Sequence, residues 1–171
     1  MISKNPGCTL RFAEEEDIGL ILRFIRELAE YEKLPHEVVA DENILHESLF
    51  GERSTAEVII AELEGCPVGF ALFFHNFSTF LGKPGIYLED IFIKPEHRGN
   101  GISKLIFAFL AKLAKERDCG RIEWSVLNWN KPMIGFSKNI GAEPMDEWTT
   151  FRISGKELSD LVNYENSGLS A

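Results

Sequence analysis

Residues 86–126 constrain this chain more than any other stretch. Ile86 to Ile93 is a run of β-branched and aromatic residues closed by Pro95, which reads as a strand. Ile102 to Arg117 then places Ile102, Leu105, Ile106, Phe109, Leu110 and Leu113 at helical spacing, with Lys112 and Lys115 toward the C-terminus, where cations oppose the helix dipole. The short Asp118-Cys119-Gly120 turn leads into another strand, Arg121 to Val126. A strand, a helix and a strand in this order form a crossover, and a crossover joins parallel strands.

The rest of the chain points to antiparallel pairing. Val58 to Glu62 and Pro67 to Phe74 flank a Glu64-Gly65 turn and read as a hairpin, followed by a polar, glycine-bearing loop from His75 to Gly85. Thr9 to Ala13 reads as a first strand, and Asp17 is placed to cap a helix with Ile18, Ile21, Leu22, Ile25, Leu28 and Ala29 on its apolar stripe. A second helix is expected over Asp41 to Phe50, with Gly51 as its stop. Beyond the crossover we expect a short helix at Met133 to Asn139 stopped by Gly141, a strand at Trp148 to Ile153, a helix at Lys156 to Val162, and a frayed tail after Tyr164. The sum is a mixed-sheet α/β (α+β) fold, and 171 residues with 44% hydrophobic content suit a single domain over 1–171.

The charge balance narrows the partners. Twenty-seven acidic against 18 basic side chains, a formal charge of -9, argue against a nucleic-acid partner and favour a cationic small molecule, although many proteins are acidic simply for solubility. Cys8, Cys66 and Cys119 are odd in number and form no CxxC pair, which suits a reducing compartment. His36, His46, His75 and His97 show no metal-ligand spacing, so no metal is expected. No apolar stretch is long enough to target or span a membrane, and the cytoplasm is the expected location.

The segment between the strand at 86–93 and the helix at 102 carries the most chemistry. In Lys94-Pro95-Glu96-His97-Arg98-Gly99-Asn100-Gly101-Ile102-Ser103, Gly99 and Gly101 permit left-handed backbone and close approach. The successive N–H groups at the helix start make a concavity for phosphate, and Arg98 adds a full charge. A plain glycine turn entering a helix is the simpler alternative. A Walker loop requires GxxxxGK[ST], which is absent, and a dinucleotide GxGxxG fails at Lys104.

Arg98-Gly99-Asn100-Gly101-Ile102-Ser103 resembles the Arg/Gln-x-x-Gly-x-Gly/Ala signature of the GCN5-related N-acetyltransferases (GNAT), with Ser103 departing at the last position. The likeness extends to the diamine and polyamine (spermidine/spermine) acetyltransferases: Phe24-Ile25-Arg26-Glu27-Leu28-Ala29-Glu30-Tyr31-Glu32 is similar to their first helix, Tyr87-Leu88-Glu89-Asp90 to their central strand, and Asn128-Trp129-Asn130 to a later segment. The resemblance implies the GNAT fold, with a central, mostly antiparallel sheet and splayed parallel strands. It also implies binding of acetyl-CoA through the 98–103 loop, pantetheine contacts from the Ile91 and Ile93 backbone, and Asn130 and Phe136 lining the same arm.

The acceptor implied is a small cationic amine. An alkylamine with a pKa of about 10.4 must lose a proton before it attacks a thioester, so a base is needed, and Glu89 is the candidate, directly or through water. Period-two alternation sends Glu89 and Asp90 to opposite faces, and Asp90 is left to bind amine or serve structure. Tyr31 and Glu32 form either a further wall of the amine site or a solvated helix end. Two departures from the relatives stand out. Ser137 follows Phe136 where they carry a tyrosine that protonates the leaving thiolate, so Ser137 through water is the substitute, and Phe80 stands in Ser78-Thr79-Phe80 where they read Asp-Pro-Trp. The expected activity is direct acetyl transfer to a diamine, polyamine or thialysine-like amino acid. Alternatives are a non-catalytic acetyl-CoA sensory module and acetylation of a drug or protein amine. The resemblance also implies a homodimer.

Overall fold

The computed structural model describes residues 7–168. The chain divides between Ser125 and Val126 into two compact units. The first holds one five-stranded sheet in the order β1 (Cys8–Phe12), β2 (Glu57–Leu63), β3 (Cys66–Ser78), β4 (Lys83–Ile93) and β5 (Ile122–Trp124). Neighbours are antiparallel except β4 and β5, which run parallel across Ile86–Leu88 and Ile122–Trp124. The mixed, mostly antiparallel fold expected from the sequence is therefore the fold observed.

Helices α1 (Ile18–Glu32) and α2 (Glu42–Phe50) cover one face of this sheet. Ile21, Leu22, Phe24 and Leu28 of α1 meet Leu45 and Leu49 of α2 and Val58, Ile60, Phe70 and Phe92 of the sheet, with Phe24 stacked on Phe70 at 5.6 Å between centroids. Helix α3 (Ile102–Glu116) lies on the other face, where Phe109 meets Phe12 edge-on and Phe107 meets Trp124. Asp41 caps α2 by accepting from the Ile44 N–H at 2.8 Å. Asp17 precedes α1 but spends its carboxylate on Arg11, at 2.6 and 2.9 Å, rather than on a helix N–H. Arg117, just past α3, is clamped by both oxygens of Glu57.

The β3–β4 hairpin is longer than the sequence predicts. The 75–85 segment is not a loop: His75–Ser78 pair with Lys83–Ile86, and only 79–82 turn. Its polar residues mask strand character because Asn76 works as a side-chain partner, donating to Glu123 on β5 at 2.7 Å. The β5 strand is shorter than Arg121 to Val126.

The second unit holds α4 (Lys131–Asn139) and α5 (Gly155–Gly168). The strand expected at Trp148 to Ile153 does not form. Its apolar residues sit at 148, 151 and 153, which breaks a period of two, and Trp148, Phe151 and Ile153 are all exposed. Helix α5 runs on past Val162 to Gly168, so the chain does not fray directly after Tyr164. The last three residues of the expected tail lie outside the described residues.

Candidate active site

The site is organised by one irregularity in β4. Leu72 pairs with Asp90 and Phe73 with Leu88, leaving Glu89 as an inserted residue, a β-bulge. Its effect on the faces is decisive. Leu88 pairs with Trp124, whose ring meets Phe107 of α3, so Leu88 faces α3. Asp90 pairs with Leu72, which packs on the α1–α2 cluster, and Phe92 belongs to that cluster, so both face α1. Regular alternation would have kept residues 88, 90 and 92 on one face.

The same insertion reverses the backbone. The Ile86 N–H donates toward the β5 side, to Arg121 O at 3.0 Å, whereas the Lys94 N–H donates toward β3, to Val68 O at 2.9 Å. Two even-numbered residues pointing to opposite sides require one extra residue between them. Ile91 and Ile93 consequently turn their backbone groups to the β5 side, beyond Leu88, where β5 no longer pairs. That open edge is where the resemblance puts pantetheine contacts.

The carboxylates gather beside this edge. Asp90, Glu32 and Glu37 line a cleft of about 300 Å³ whose remaining walls are apolar, from Ile25, Leu28 and Ala29 of α1 and from Leu34 and Val38–Ala40 after it. Asp90 is half-buried, and its carboxyl is pushed up to about 6, first by burial and then by the charges of Glu89 and Glu32. Burial also pushes Glu32 above the usual carboxylate range. Glu89 is exposed on the bulge. A cleft of this kind accepts an ammonium group on a short apolar chain, because an opposite charge repays the desolvation of the carboxylates.

The loop entering α3 has the geometry of an anion cradle. Gly99 and Gly101 adopt φ of +78° and +86°, and a Cβ on either would project into open space. Gly101 caps α3, whose first residues Ile102 and Ser103 present further N–H groups at the positive end of the helix. With the open edge at Ile91–Ile93, this cradle fits a pyrophosphate joined to an extended arm. The Arg98 side chain also has contacts within the protein. Its Nε donates to the Ile93 carbonyl at 2.8 Å and its guanidinium lies 4.3 Å from the Tyr31 ring centroid.

Phe80 lies far from the cleft, and three further expected residues belong to the second unit. Phe80 is 93% exposed at the tip of the hairpin, and the strand from Lys83 to Asp90 puts it roughly 23 Å along β4 from the cleft. In the second unit Asn130 caps α4 by accepting from the Met133 N–H at 3.2 Å, Phe136 is half-buried in α4, and the Ser137 hydroxyl donates to Met133 O at 2.9 Å. Ser137 therefore already commits the proton that the sequence reading assigns to the leaving thiolate. Glu37 and Val38–Ala40 escape the sequence reading, although apolar valines directly after the Leu34-Pro35 helix stop are a signal for a lined cleft. Among the described residues no cluster of histidine, cysteine and carboxylates could hold a metal.

Comparison with known proteins adds the family context. Residues 21–142 match the model of the Acetyltransferase (GNAT) family. The chain is 39% identical over 164 residues to a thialysine N-epsilon-acetyltransferase of Sus scrofa, covering 90% of this chain and 96% of the relative. It is 30% identical over 197 residues to an L-ornithine N5-acetyltransferase of Arabidopsis thaliana, covering 89% and 86%. Among solved structures, an integron cassette protein from V. cholerae superposes with a TM-score of 0.76 at 27% identity, covering 91% of this chain and 98% of that one.

Proposed function

This chain belongs to the GNAT family of acetyltransferases, and we propose that it moves the acetyl group of acetyl-CoA to the terminal amine of a small diamine or diamino acid. The observation that carries the acceptor class is the cleft in which Asp90 and Glu32 flank apolar walls beside the bulge at Glu89. The names of the pig and Arabidopsis relatives, thialysine at N-epsilon and L-ornithine at N5, support the same class.

Acetyl-CoA supplies a thioester carbonyl, and the residues of this chain do the rest. The N–H groups of Gly99 to Ser103 hold phosphate, and the Ile91 and Ile93 backbone aligns the extended arm along β4. Asp90 and Glu32 draw the ammonium into the cleft, and a bound cation favours their charged forms. Glu89, on the bulge next to Asp90, takes the proton from the amine, directly or through water, so that the lone pair can attack the thioester carbonyl; the C–S bond then breaks and CoA leaves as a thiolate that takes a proton from solvent. Holding the two reactants together supplies much of the acceleration.

The test is release of CoA thiol across ornithine, thialysine, putrescine, spermidine, an aminoglycoside and a lysine peptide, with Glu89→Gln alongside. Small diamines or diamino acids should give the highest kcat/KM, and Glu89→Gln should lower kcat by roughly 10²- to 10⁴-fold. Highest turnover with the aminoglycoside or the peptide overturns the acceptor class. Acetyl-CoA binding without turnover of any amine supports a binding module instead.

A further inference from the structure

Arg98 begins the loop that carries the anion cradle, yet its side chain contacts both elements of the acceptor architecture, α1 and β4. Its Nε is held by the Ile93 carbonyl at 2.8 Å, its guanidinium carbon lies 4.3 Å from the Tyr31 centroid and 5.6 Å from that of Phe92. Tyr31 directly precedes Glu32 in the last turn of α1, and Phe92 lies two residues beyond Asp90 on the same face of β4. One guanidinium thus braces the neighbours of the two carboxylates that line the cleft.

The last turn of α1 gains from such a brace. It carries Glu30 and Glu32 at the negative end of the helix dipole, and the basic residue next to it, Lys33, is the left-handed cap that ends the helix. A cation brought from the β4–α3 loop offsets that charge and, spread over the Tyr31 ring, fixes the turn through the ring quadrupole. We propose that Arg98 is a positioning residue for the acceptor cleft, holding the C-terminal turn of α1 against β4 so that Glu32 faces Asp90, rather than a ligand of the co-substrate phosphates. The cradle then relies on backbone N–H groups. Because Arg98 and Gly99 are consecutive, the same short loop serves both substrates, with the side chain on one and the backbone on the other.

The inference rests on the acceptor reading above, so its test has an arm independent of turnover. Arg98→Gln keeps an N–H donor for the Ile93 carbonyl and removes the charge and the plane, and Tyr31→Leu removes the ring. Each should raise the amine KM by about three- to thirtyfold. The acetyl-CoA Kd, measured by titration without amine, should stay within about twofold, and the double variant should be no worse than the poorer single one. Amide hydrogen exchange at 29–34, where Leu34 N–H closes the turn on Ala29 O at 2.8 Å, should speed up in Arg98→Gln whether or not any amine is acetylated. A weaker acetyl-CoA Kd with unchanged exchange at 29–34 overturns the proposal and returns Arg98 to the phosphates. Additive effects of the two substitutions on exchange overturn it as well. If wild type acetylates no amine, the acceptor reading fails while the exchange result still decides whether Arg98 braces the turn.

Discussion

Replacing Asp90 by Asn should make the protein more stable and the enzyme worse. The Asp90 carboxyl titrates near about 6 against an ordinary value of 3.8, because it is desolvated and because Glu89 and Glu32 repel its charge. Between those two values the folded chain still holds a proton that the unfolded chain has released, so stability falls as the pH rises through this window. Above about 6 the full cost is reached, and at about 1.36 kcal/mol per pH unit it amounts to roughly 3 kcal/mol. Asp90→Asn keeps the shape and removes the charge. Urea denaturation followed from pH 4 to 8 should show the variant about 2–3 kcal/mol more stable at pH 8, with the gap closing toward pH 4. A saturating cationic acceptor should stabilise wild type at pH 8 and the variant far less. Equal or lower stability of Asp90→Asn at pH 8, or a gap that does not change with pH, refutes the claim that the cleft holds a carboxylate under electrostatic strain.

Other substitutions separate the remaining roles. Gly101→Ala forces a side chain to a φ of +86° without any steric collision, so a cost of about 1–2 kcal/mol should appear in denaturation, and acetyl-CoA titration should weaken as the cradle relaxes. Ser137→Ala should change kcat by less than about threefold, since the hydroxyl proton is already given to Met133 O; a loss of tenfold or more assigns Ser137 to the chemistry.

Much of this arrangement is legible in the sequence because it depends on strong local patterns. The α3 stripe, the glycines at 99 and 101 and the Glu64-Gly65 turn each translate directly into the observed elements. Glu64 and Gly65 both take positive φ, the conformation a two-residue hairpin demands. The readings that fail depend on tertiary partners. His75 to Ser78 looks like loop until the Asn76 amide N–H is seen to donate across the sheet to Glu123. The contact of Arg98 with the Tyr31 ring is equally invisible in the motif, and only the fold reveals it. Ser137 is legible as a missing tyrosine but not as a hydroxyl occupied within its own helix turn. Period-two alternation assigns Glu89 and Asp90 to faces that hold only if β4 is regular, and no composition signal marks the insertion.

That insertion makes Glu89 a spacer as much as a carboxylate. Upstream of it β4 is phased to α3, and downstream to α1, so the strand behaves as two half-strands set out of step by one residue. An isosteric replacement at Glu89 leaves the phase untouched and interrogates chemistry alone. Were Glu89 instead drawn into a regular ladder, Asp90 and Phe92 would trade faces with Ile91 and Ile93, the acceptor cleft would lose its carboxylate floor, and the Ile91 and Ile93 backbone groups would turn toward β3. Which residues β4 presents to α1 and which to α3 is thus set by one bulge in the strand, not only by its side chains.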